Sequence, residues 1–149
     1  MADVIAATPF FRKTYDETLA LIVEARNYMA YTDHAGRAEW SPDTRLLISQ
    51  ETMRITSRLT QAMAWMLAHR AVETGEMSMD EALSDRFALG AHGVCLDDRW
   101  LDDERLPEAV ISLGRRSLDL FRRIDRLESM LRDERDMPAP ESPPQHPRL

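Results

Sequence analysis

The residue types that could bind a metal are spread along the chain without the spacing of a metal site. The four histidines and the one cysteine lie in different segments: His34, His69, His92, His146 and Cys95. A ferritin-like site needs Glu-x-x-His pairs, because i,i+3 spacing places both ligands on one helix face, and the sequence contains none. The acidic run from Asp97 to Glu104 lacks the glycine turn of a calcium loop, so a solvated loop is favoured over a metal site. We therefore predict no metal and no other cofactor.

The sequence also lacks the motifs that build common catalytic sites. It contains no phosphate-binding P-loop, no GxGxxG dinucleotide fingerprint and no GxSxG nucleophile elbow. We predict that the protein is not an enzyme.

A polar stripe that includes one large aromatic residue lies on the longest predicted helix. At 100° per residue, six side chains fall within roughly one quadrant: Glu51, Arg54, Arg58, Gln61, Trp65 and His69. Trp and Arg are enriched among the residues that dominate protein interfaces, so one hypothesis is that this stripe binds a partner protein. The alternative is that Trp65 belongs to the core and that the arginines form intramolecular salt bridges.

Two further interpretations concern the same region. An exposed His69 could accept a phosphoryl group, but phosphotransfer motifs follow the histidine with a small residue, and here Arg70 follows. The second helix, the turn at Gly75 and the third helix could imitate a helix-turn-helix. The third helix would then carry Asp80, Glu81 and Asp85 against one arginine, a charge that opposes docking in a DNA groove.

Composition limits the class of protein. At 149 residues and 44% hydrophobic content, the chain is large enough for one domain with its own core. A single cysteine excludes an internal disulfide, and the first residues lack the pattern of a secretory signal. The longest uncharged apolar segment, Ala62 to Ala68, is too short to cross a membrane. We therefore expect a cytoplasmic protein that binds no membrane. Because a net charge of −7 repels phosphate backbones, we also expect no nucleic-acid partner.

Proline-marked capping signals predict two long helices. Thr8-Pro9 starts the first helix, which we expect to end near Tyr31, and Ser41-Pro42 starts the second. The second pattern is unbroken from Thr44 to Thr74, roughly 46 Å at 1.5 Å per residue, and stops at Gly75. Beside the polar stripe, this helix carries a predicted core stripe of Ile48, Thr52, Ile55, Leu59, Ala62, Met63 and Met66. Seven successive apolar residues from Ala62 predict burial by its own bundle or by a second subunit.

Two more helices and an irregular connection follow. Ser78 and Glu81 form a capping box that predicts a short helix from Met79 to Ala88. Residues 94–106 are interpreted as an irregular connection, after which Pro107 starts the last long helix. Its core seam has 3,4 spacing and comprises Val110, Leu113, Ser117, Leu120, Ile124, Leu127 and Leu131. The charged residues of this helix, Glu128 included, are assigned to a solvated face.

These elements predict an all-α fold, an elongated antiparallel three-helix bundle with one extra short helix. The bundle domain is assigned to residues 1–136. Residues 137–149 contain five prolines in thirteen residues and almost no apolar side chain, so we predict a disordered tail.

From Leu46 to Ala82 the chain resembles the alphaproteobacterial family named for the regulator of CtrA degradation, RcdA. The matching elements are Leu59-Thr60, Trp65-Met66-Leu67, Arg70-Ala71-Val72 and Gly75-Glu76-Met77. The likeness extends from the first helix to about Arg135, and the proline-rich tail matches in composition.

The resemblance implies a three-helix bundle with an additional short helix, homodimerisation and no enzymatic activity. It further implies an adaptor that helps bring cell-cycle regulators such as CtrA to the ClpXP protease. The implied partners are ClpX, a response-regulator-like priming factor, a cyclic-di-GMP-linked adaptor and the substrate regulators. The tail would contribute to partner binding or to placement at the cell pole.

Overall fold

A computed structural model describes residues 8–32 and 39–141 of the chain. Within these two ranges, the α-helices are α1 (Pro9–Asn27), α2 (Pro42–Glu73), α3 (Met79–Ala82), α4 (His92–Cys95) and α5 (Glu108–Asp136). A π-helical turn, Tyr28–Thr32, continues α1. No strand occurs in the described ranges, which confirms the all-α class. The loop around His34 and tail residues 142–149, including His146, lie outside them.

The predicted caps start both of the first two long helices. The Phe11 N–H donates to the Thr8 hydroxyl at 3.2 Å, and the Thr44 N–H donates to the Ser41 hydroxyl at 3.2 Å. Each hydroxyl satisfies one of the free N–H groups of a first helical turn, and each is followed by proline at the first helical position. The predicted starts are confirmed.

Gly75 ends α2. Its φ of +78° lies in the left-handed region, which side chains with a Cβ avoid. This conformation lets the Glu76 N–H donate to the Ala71 carbonyl at 2.9 Å, as in a Schellman motif. The 32 residues of α2 form one continuous helix of about 48 Å at 1.5 Å per residue.

Ion pairs fix the direction of α5 relative to α1. Glu24 pairs with Arg116 at 2.5 Å, and Glu17 pairs with Arg123 at 2.6 Å. From the first pair to the second, the residue number rises on α5, from Arg116 to Arg123, and falls on α1, from Glu24 to Glu17. The two helices are therefore antiparallel, as predicted.

α2 and α5 run parallel to each other, which the predicted antiparallel bundle did not anticipate. Arg58 contacts Ser117, and further along both helices Trp65 contacts Glu128. The reason is that residues 74–107 form a long crossover, which returns the chain to the end of the bundle where α2 began. Antiparallel packing therefore holds for α1 against each of the other two long helices.

The crossover differs in detail from its predicted structure. α3 ends at Ala82 rather than Ala88, because the Ser84 hydroxyl donates to the Glu81 carbonyl at 2.6 Å and the chain turns inward to bury Leu83. The Glu81 N–H donates to the Ser78 hydroxyl, so half of the predicted capping box is present. α4 was not predicted; it follows Ala91, whose φ is +57°.

The core lies where α1, α2 and α5 meet. Every member of the predicted α5 seam is buried except Leu127, which is half-buried. The core stripe of α2 is likewise buried or half-buried. Glu128 is the exception on α5: predicted to be solvated, it is buried.

Candidate functional site

The crossover lies against the same face of α2 that carries the polar stripe. Its residues meet α2 in reverse order, with Gly90 beside Gln61, Cys95 beside Arg58 and Asp97 beside Arg54. The crossover therefore runs antiparallel to α2 and covers the stripe.

Arg58 is the centre of this contact. Its side chain is fully buried. It donates to the main-chain carbonyls of Cys95 (2.7 Å), Asp97 (2.8 Å) and Gly114 (3.1 Å), and more weakly to the Ser117 hydroxyl (3.4 Å). Burial lowers the pKa of the guanidinium, and Glu51 opposes that shift. One side chain thus satisfies two main-chain carbonyls of the crossover, and it adds a hydrogen bond to the Gly114 carbonyl of α5, which also accepts from the Ser117 hydroxyl.

Acidic side chains balance this buried charge. Glu51, fully buried, accepts from Arg54 at 2.6 Å, and Arg54 also pairs with Asp97 at 3.2 Å. Asp97 in turn accepts two hydrogen bonds from the Arg99 guanidinium, which chiefly hold the pKa of its carboxyl well below the usual range. The stripe and the crossover therefore share one hydrogen-bonded network of alternating charge.

A second contact lies further along α2. The Trp65 indole N–H donates to Glu128 of α5 at 2.8 Å, and the Leu89 N–H donates to the same carboxylate oxygen at 2.8 Å. Next to it the Gly90 N–H donates to the Gln61 amide oxygen at 2.9 Å. These bonds fix Leu89 and Gly90 of the crossover against α2 and α5.

His69 is buried beside this contact without a hydrogen-bond partner. Its ring is 2% exposed and stacks on Trp65 with 3.9 Å between ring centroids. Neither ring nitrogen has a partner in the described part of the chain. Burial lowers the pKa of His69 to about 4, so the ring is neutral at pH 7.

The structure thus brings the six predicted site residues together, but on the inside of the chain. Glu51, Arg54, Arg58, Trp65 and His69 are buried, and Gln61 is half-buried. This is the arrangement expected from the intramolecular alternative, with Trp65 in the core and the arginines paired within the chain. Direct contact of the stripe with a partner stays a prediction.

Burial of His69 also bears on the phosphotransfer alternative, because a phosphorylated histidine must be accessible to a response regulator. The helix-turn-helix alternative meets a different obstacle. α3 is a single turn that carries Asp80 and Glu81, too short and too acidic to read a DNA groove.

The opposite face of α2 is uncharged. From Leu46 to Leu67, about 32 Å of helix, every charged side chain is buried. We call the exposed and half-exposed side chains of this stretch the outer face; its line with 3,4 spacing is Leu46, Ser49, Met53, Thr56, Thr60, Met63 and Leu67. In this stretch of α2 the charged side chains therefore face inward, beside the buried apolar core stripe.

An apolar groove of about 770 Å³ lies between this outer face and α1. It is lined from α2 by Thr56, Leu59, Thr60, Met63, Ala64 and Leu67, and from the chain around α1 by Ile22, Ala25, Arg26, Met29 and Ala30. Helical periodicity places the exposed Leu19 and Val23 on the α1 rim of the groove. The outer face and this groove together form a continuous surface with one charged side chain, Arg26, among the described lining residues.

Sequence reasoning missed the residues that cover the stripe. Glu128, Asp97 and the carbonyl groups of the crossover complete the network, and none of them is near α2 in sequence. The sequence did contain one signal of a covering segment: three charged residues of α2, Glu51, Arg54 and Arg58, adjoin its core stripe.

Other kinds of site were sought in the described ranges. No three His, Cys, Asp or Glu side chains of residues 8–32 and 39–141 group together as metal ligands do. In the same part of the chain, none of the helices combines the length and the apolar character needed to cross a bilayer.

Comparison with known proteins places this fold in context. A family model described as "Protein of unknown function (DUF1465)" matches residues 2–148. The crystal structure of RcdA from Caulobacter crescentus CB15 is similar to this chain, with 29% sequence identity and a TM-score of 0.62. The similarity covers 83% of this chain and 92% of that one. Among curated proteins, none matches the sequence.

Proposed function

The chain belongs to the DUF1465 family of proteins of unknown function, and we propose that it is a non-enzymatic protein–protein adaptor in regulated proteolysis. In this role it helps deliver cell-cycle regulators of the CtrA type to the ClpXP protease. Similarity to RcdA over 83% of the chain is the observation that carries the proposal. Its proposed partners are ClpX, a response-regulator-like priming factor and the substrate regulators. It would act in the cytoplasm, where it could be concentrated at a cell pole.

The uncharged outer face of α2 supports a protein-binding role. Exposed Leu46, Met53 and Leu67 lie on this face, where no exposed side chain from residue 46 to 67 is charged, and apolar surface of this kind is typical of interaction sites. Methionine adapts its shape to different partners, which suits a surface that binds more than one protein.

We further propose that a second copy of the chain covers the outer face and the groove beside it. Two chains of net charge −7 repel each other, so their contact is most favourable where each presents no charge. The small Ser, Thr and Ala side chains of the outer face allow close approach of a second helix. The Leu19 and Val23 ridge on α1 is a candidate to enter the groove of the other copy, as a twofold interface requires.

The polar stripe has a supporting role in this proposal. The six side chains Glu51, Arg54, Arg58, Gln61, Trp65 and His69 hold the crossover in one conformation through hydrogen bonds and packing. They would therefore act on partner recognition by positioning the crossover in this conformation.

A reconstituted degradation assay tests the adaptor proposal. Purified ClpXP and the CtrA regulator of the same organism are incubated with the response-regulator-like priming factor, with and without this protein. We expect faster loss of CtrA at substoichiometric amounts of the protein, and the protein itself unmodified in mass. Equal rates with and without it, across a range of priming-factor concentrations, would contradict the proposal.

The two alternatives have less support. A phosphotransfer module requires an accessible His69, and a DNA-associated regulator requires a basic reading helix. Incubation with a phosphorylated response regulator, followed by a search for acid-labile label on His69, addresses the first. Retention on DNA with a steep salt dependence would indicate the second.

A further inference from the structure

Residues 84–91 of the crossover are held to the bundle at few points, and we call this segment the latch. Of its eight side chains only that of Leu89 is buried; three are exposed and four are half-buried. None of these residues belongs to a helix. A segment with so few buried apolar contacts belongs to the part of a fold that opens most easily.

The hydrogen bonds that hold the latch come from two adjacent residues. The Leu89 N–H donates to Glu128 of α5 at 2.8 Å, and the Gly90 N–H donates to Gln61 of α2 at 2.9 Å. Because the two donors are neighbours in the chain, one movement of the main chain breaks both bonds. Closure of the latch therefore depends on a single short stretch.

The chain is anchored on both sides of the latch. Before it, Leu83 is buried at 1% exposed. After it, α4 is held by Cys95, whose side chain is buried and whose carbonyl accepts from Arg58. His92 of α4 also lies 2.8 Å from Asp125 of α5, between Nε2 and Oδ1. A movement of the latch can therefore end at these anchors and leave the rest of the crossover in place.

The closed position of the latch carries two unfavourable features. Ala91, at its α4 end, has a φ of +57°, which is costly for a residue with a Cβ. Trp65 and Leu89 donate to the same oxygen of Glu128, so the latch lies next to Trp65. His69 stacks on Trp65, and neither of its buried ring nitrogens has a partner in the described part of the chain. Opening relaxes Ala91 and lets water reach this ring, and both changes favour the open state.

We propose that the latch opens while the three long helices stay folded, and that its opening controls access to the polar stripe. In the closed conformation the latch covers the stripe at Gln61 and Trp65. In the open conformation the polar atoms of these two residues face solvent, while Arg58 keeps the second half of the crossover in place. This inference rests on the proposed adaptor function, since the open stripe is then a surface for a partner protein.

The contacts of the latch define the chemistry of a partner that replaces it. When the latch leaves, Oε2 of Glu128 and Oε1 of Gln61 each lose a main-chain N–H donor, and the space of the Leu89 side chain is vacated. The complementary partner is an extended segment in which a small residue follows an apolar one, so that two successive N–H groups reach both oxygens. Leu89 and Gly90 of the latch have this pattern themselves.

Native-state hydrogen exchange on the full chain tests the opening. The Leu89 and Gly90 amides are compared with the Leu120 amide, in the middle of α5, at increasing low concentrations of urea. After correction for intrinsic rates, we expect the two latch amides to exchange at least about tenfold faster than Leu120. Their exchange should depend little on urea, because local opening exposes little surface. Latch amides that match Leu120 in both rate and urea dependence are released only by global unfolding, which would overturn the proposal.

Two matched variants separate the latch from the rest of the crossover. Leu89 and Leu101 are buried crossover leucines at 4% and 5% exposed, but only Leu89 lies in the latch. We expect Leu89→Asp to keep the circular dichroism spectrum of the bundle, because an open latch carries the new charge into water. Leu101→Asp should lower the thermal midpoint much more. Leu89→Ser and Leu101→Ser repeat the comparison with a milder change. Equal losses of stability at the two positions would contradict local opening.

A peptide with the sequence of residues 87–91, acetyl-Phe-Ala-Leu-Gly-Ala-amide, tests the chemistry of the partner. It is titrated into ¹⁵N-labelled protein, and the Trp65 indole N–H signal is identified as the one retained in both Trp40→Phe and Trp100→Phe. We expect a saturable shift of this signal in Leu89→Asp, and a smaller one in the wild type, where the closed latch competes. The same peptide with Asp in place of Leu is the control. Equal shifts with the two peptides, or an unmoved Trp65 signal, would overturn the proposed recognition.

Failure of the latch proposal leaves a different signature from failure of the adaptor proposal. If the adaptor proposal is wrong, the wild-type protein does not accelerate CtrA degradation, whatever the exchange rates of the latch. If the adaptor proposal holds and the latch controls access, Leu89→Asp reaches half-maximal acceleration at a lower concentration than the wild type. Acceleration by both proteins at the same concentration would contradict control by the latch alone.

Discussion

Arg58 of α2 donates its Nε–H to the main-chain carbonyl of Cys95, 37 residues later, at 2.7 Å. This bond joins a regular helix to an irregular crossover whose carbonyl groups have no helical partners of their own. The crossover carbonyls of Cys95 and Asp97 depend on this guanidinium, and the Gly114 carbonyl of α5 accepts a further bond from it. Arg58 therefore uses its buried charge to satisfy the main chain of another segment, and the exposed side chains between Leu46 and Leu67 are all uncharged.

Replacement of Arg58 should unfold the protein more easily. We expect Arg58→Met to lower the free energy of unfolding by about 3–5 kcal/mol, because the carbonyls of Cys95 and Asp97 lose their donor and Glu51 is left with excess buried negative charge. Urea denaturation followed by circular dichroism measures the change. Arg45→Met, at an exposed position of the same helix, is the control and should change stability by less than about 0.5 kcal/mol. Similar losses in the two variants would contradict the proposed role of Arg58.

Gly114 and Leu101 should be energetically coupled. Gly→Ala within a helix ordinarily stabilises by about 1 kcal/mol, but here the new methyl group would meet Leu101 Cδ2 at 2.5 Å. We expect Gly114→Ala to destabilise the wild-type protein and to stabilise the Leu101→Ala variant, where that space is empty. A double-mutant cycle from urea denaturation should give a coupling energy of about 1 kcal/mol or more. Additive effects of the two substitutions would show that the methyl group and Leu101 do not compete for the same space.

Glu128 should matter through its ability to accept hydrogen bonds. Glu128→Gln keeps an amide oxygen that can accept from the Trp65 indole and the Leu89 N–H, whereas Glu128→Ala leaves both donors buried without a partner. We expect the alanine variant to be less stable than the glutamine variant by about 2 kcal/mol or more. Chemical denaturation at pH 7 provides the comparison. Equal losses in the two variants would mean that the negative charge, which both remove, rather than the accepted hydrogen bonds, is what Glu128 contributes.

His69 should make stability depend on pH in a defined window. Its pKa is about 4 in the folded chain and about 6.5 when unfolded, so the unfolded state binds the proton first as pH falls. The contribution of His69 is therefore complete above pH 6.5 and is lost progressively towards pH 4, to a total on the order of 3 kcal/mol. His69→Leu should remove this part of the pH dependence and leave the contributions of the carboxyl groups.

The difference between wild-type and His69→Leu stability, measured at half-unit steps from pH 7.5 to 4.5, isolates this contribution. We expect the difference to change in favour of the leucine variant as pH falls. A difference that stays constant over this range would mean that His69 has an ordinary pKa and is solvated.

Local signals in the sequence predicted the elements well, because each depends on a few neighbouring residues. The capping hydroxyls of Thr8 and Ser41 and the left-handed conformation of Gly75 are decided within one helical turn. The α5 seam is similarly predicted by its 3,4 spacing, because any apolar surface that packs on α5 buries these positions. The ends of α3 were less certain because a single serine hydroxyl, Ser84, competes for a helical carbonyl.

The polar stripe shows what periodicity leaves undetermined. Helical spacing established that its six residues share one side of α2, and they do. It could not establish that this side faces inward, because the segment that covers it is the crossover, which is distant in sequence. The parallel packing of α5 on α2 also depends on the path of that crossover. Charged residues are usually solvated, and that general expectation fails here since buried carbonyls required donors.

The central claim is that between Leu46 and Leu67 α2 carries its charge inside the chain, so that its uncharged outer face can bind a second copy. Light scattering coupled to size exclusion measures this directly, on the wild-type protein and on Thr60→Glu, which places one charge at the middle of the outer face. Thr60→Ser is the matched control. We predict twice the chain mass for the wild type and for Thr60→Ser, and a lower mass for Thr60→Glu with an unchanged circular dichroism spectrum. A wild-type protein with the mass of one chain at all concentrations, or a Thr60→Glu variant with unchanged mass, would contradict the claim.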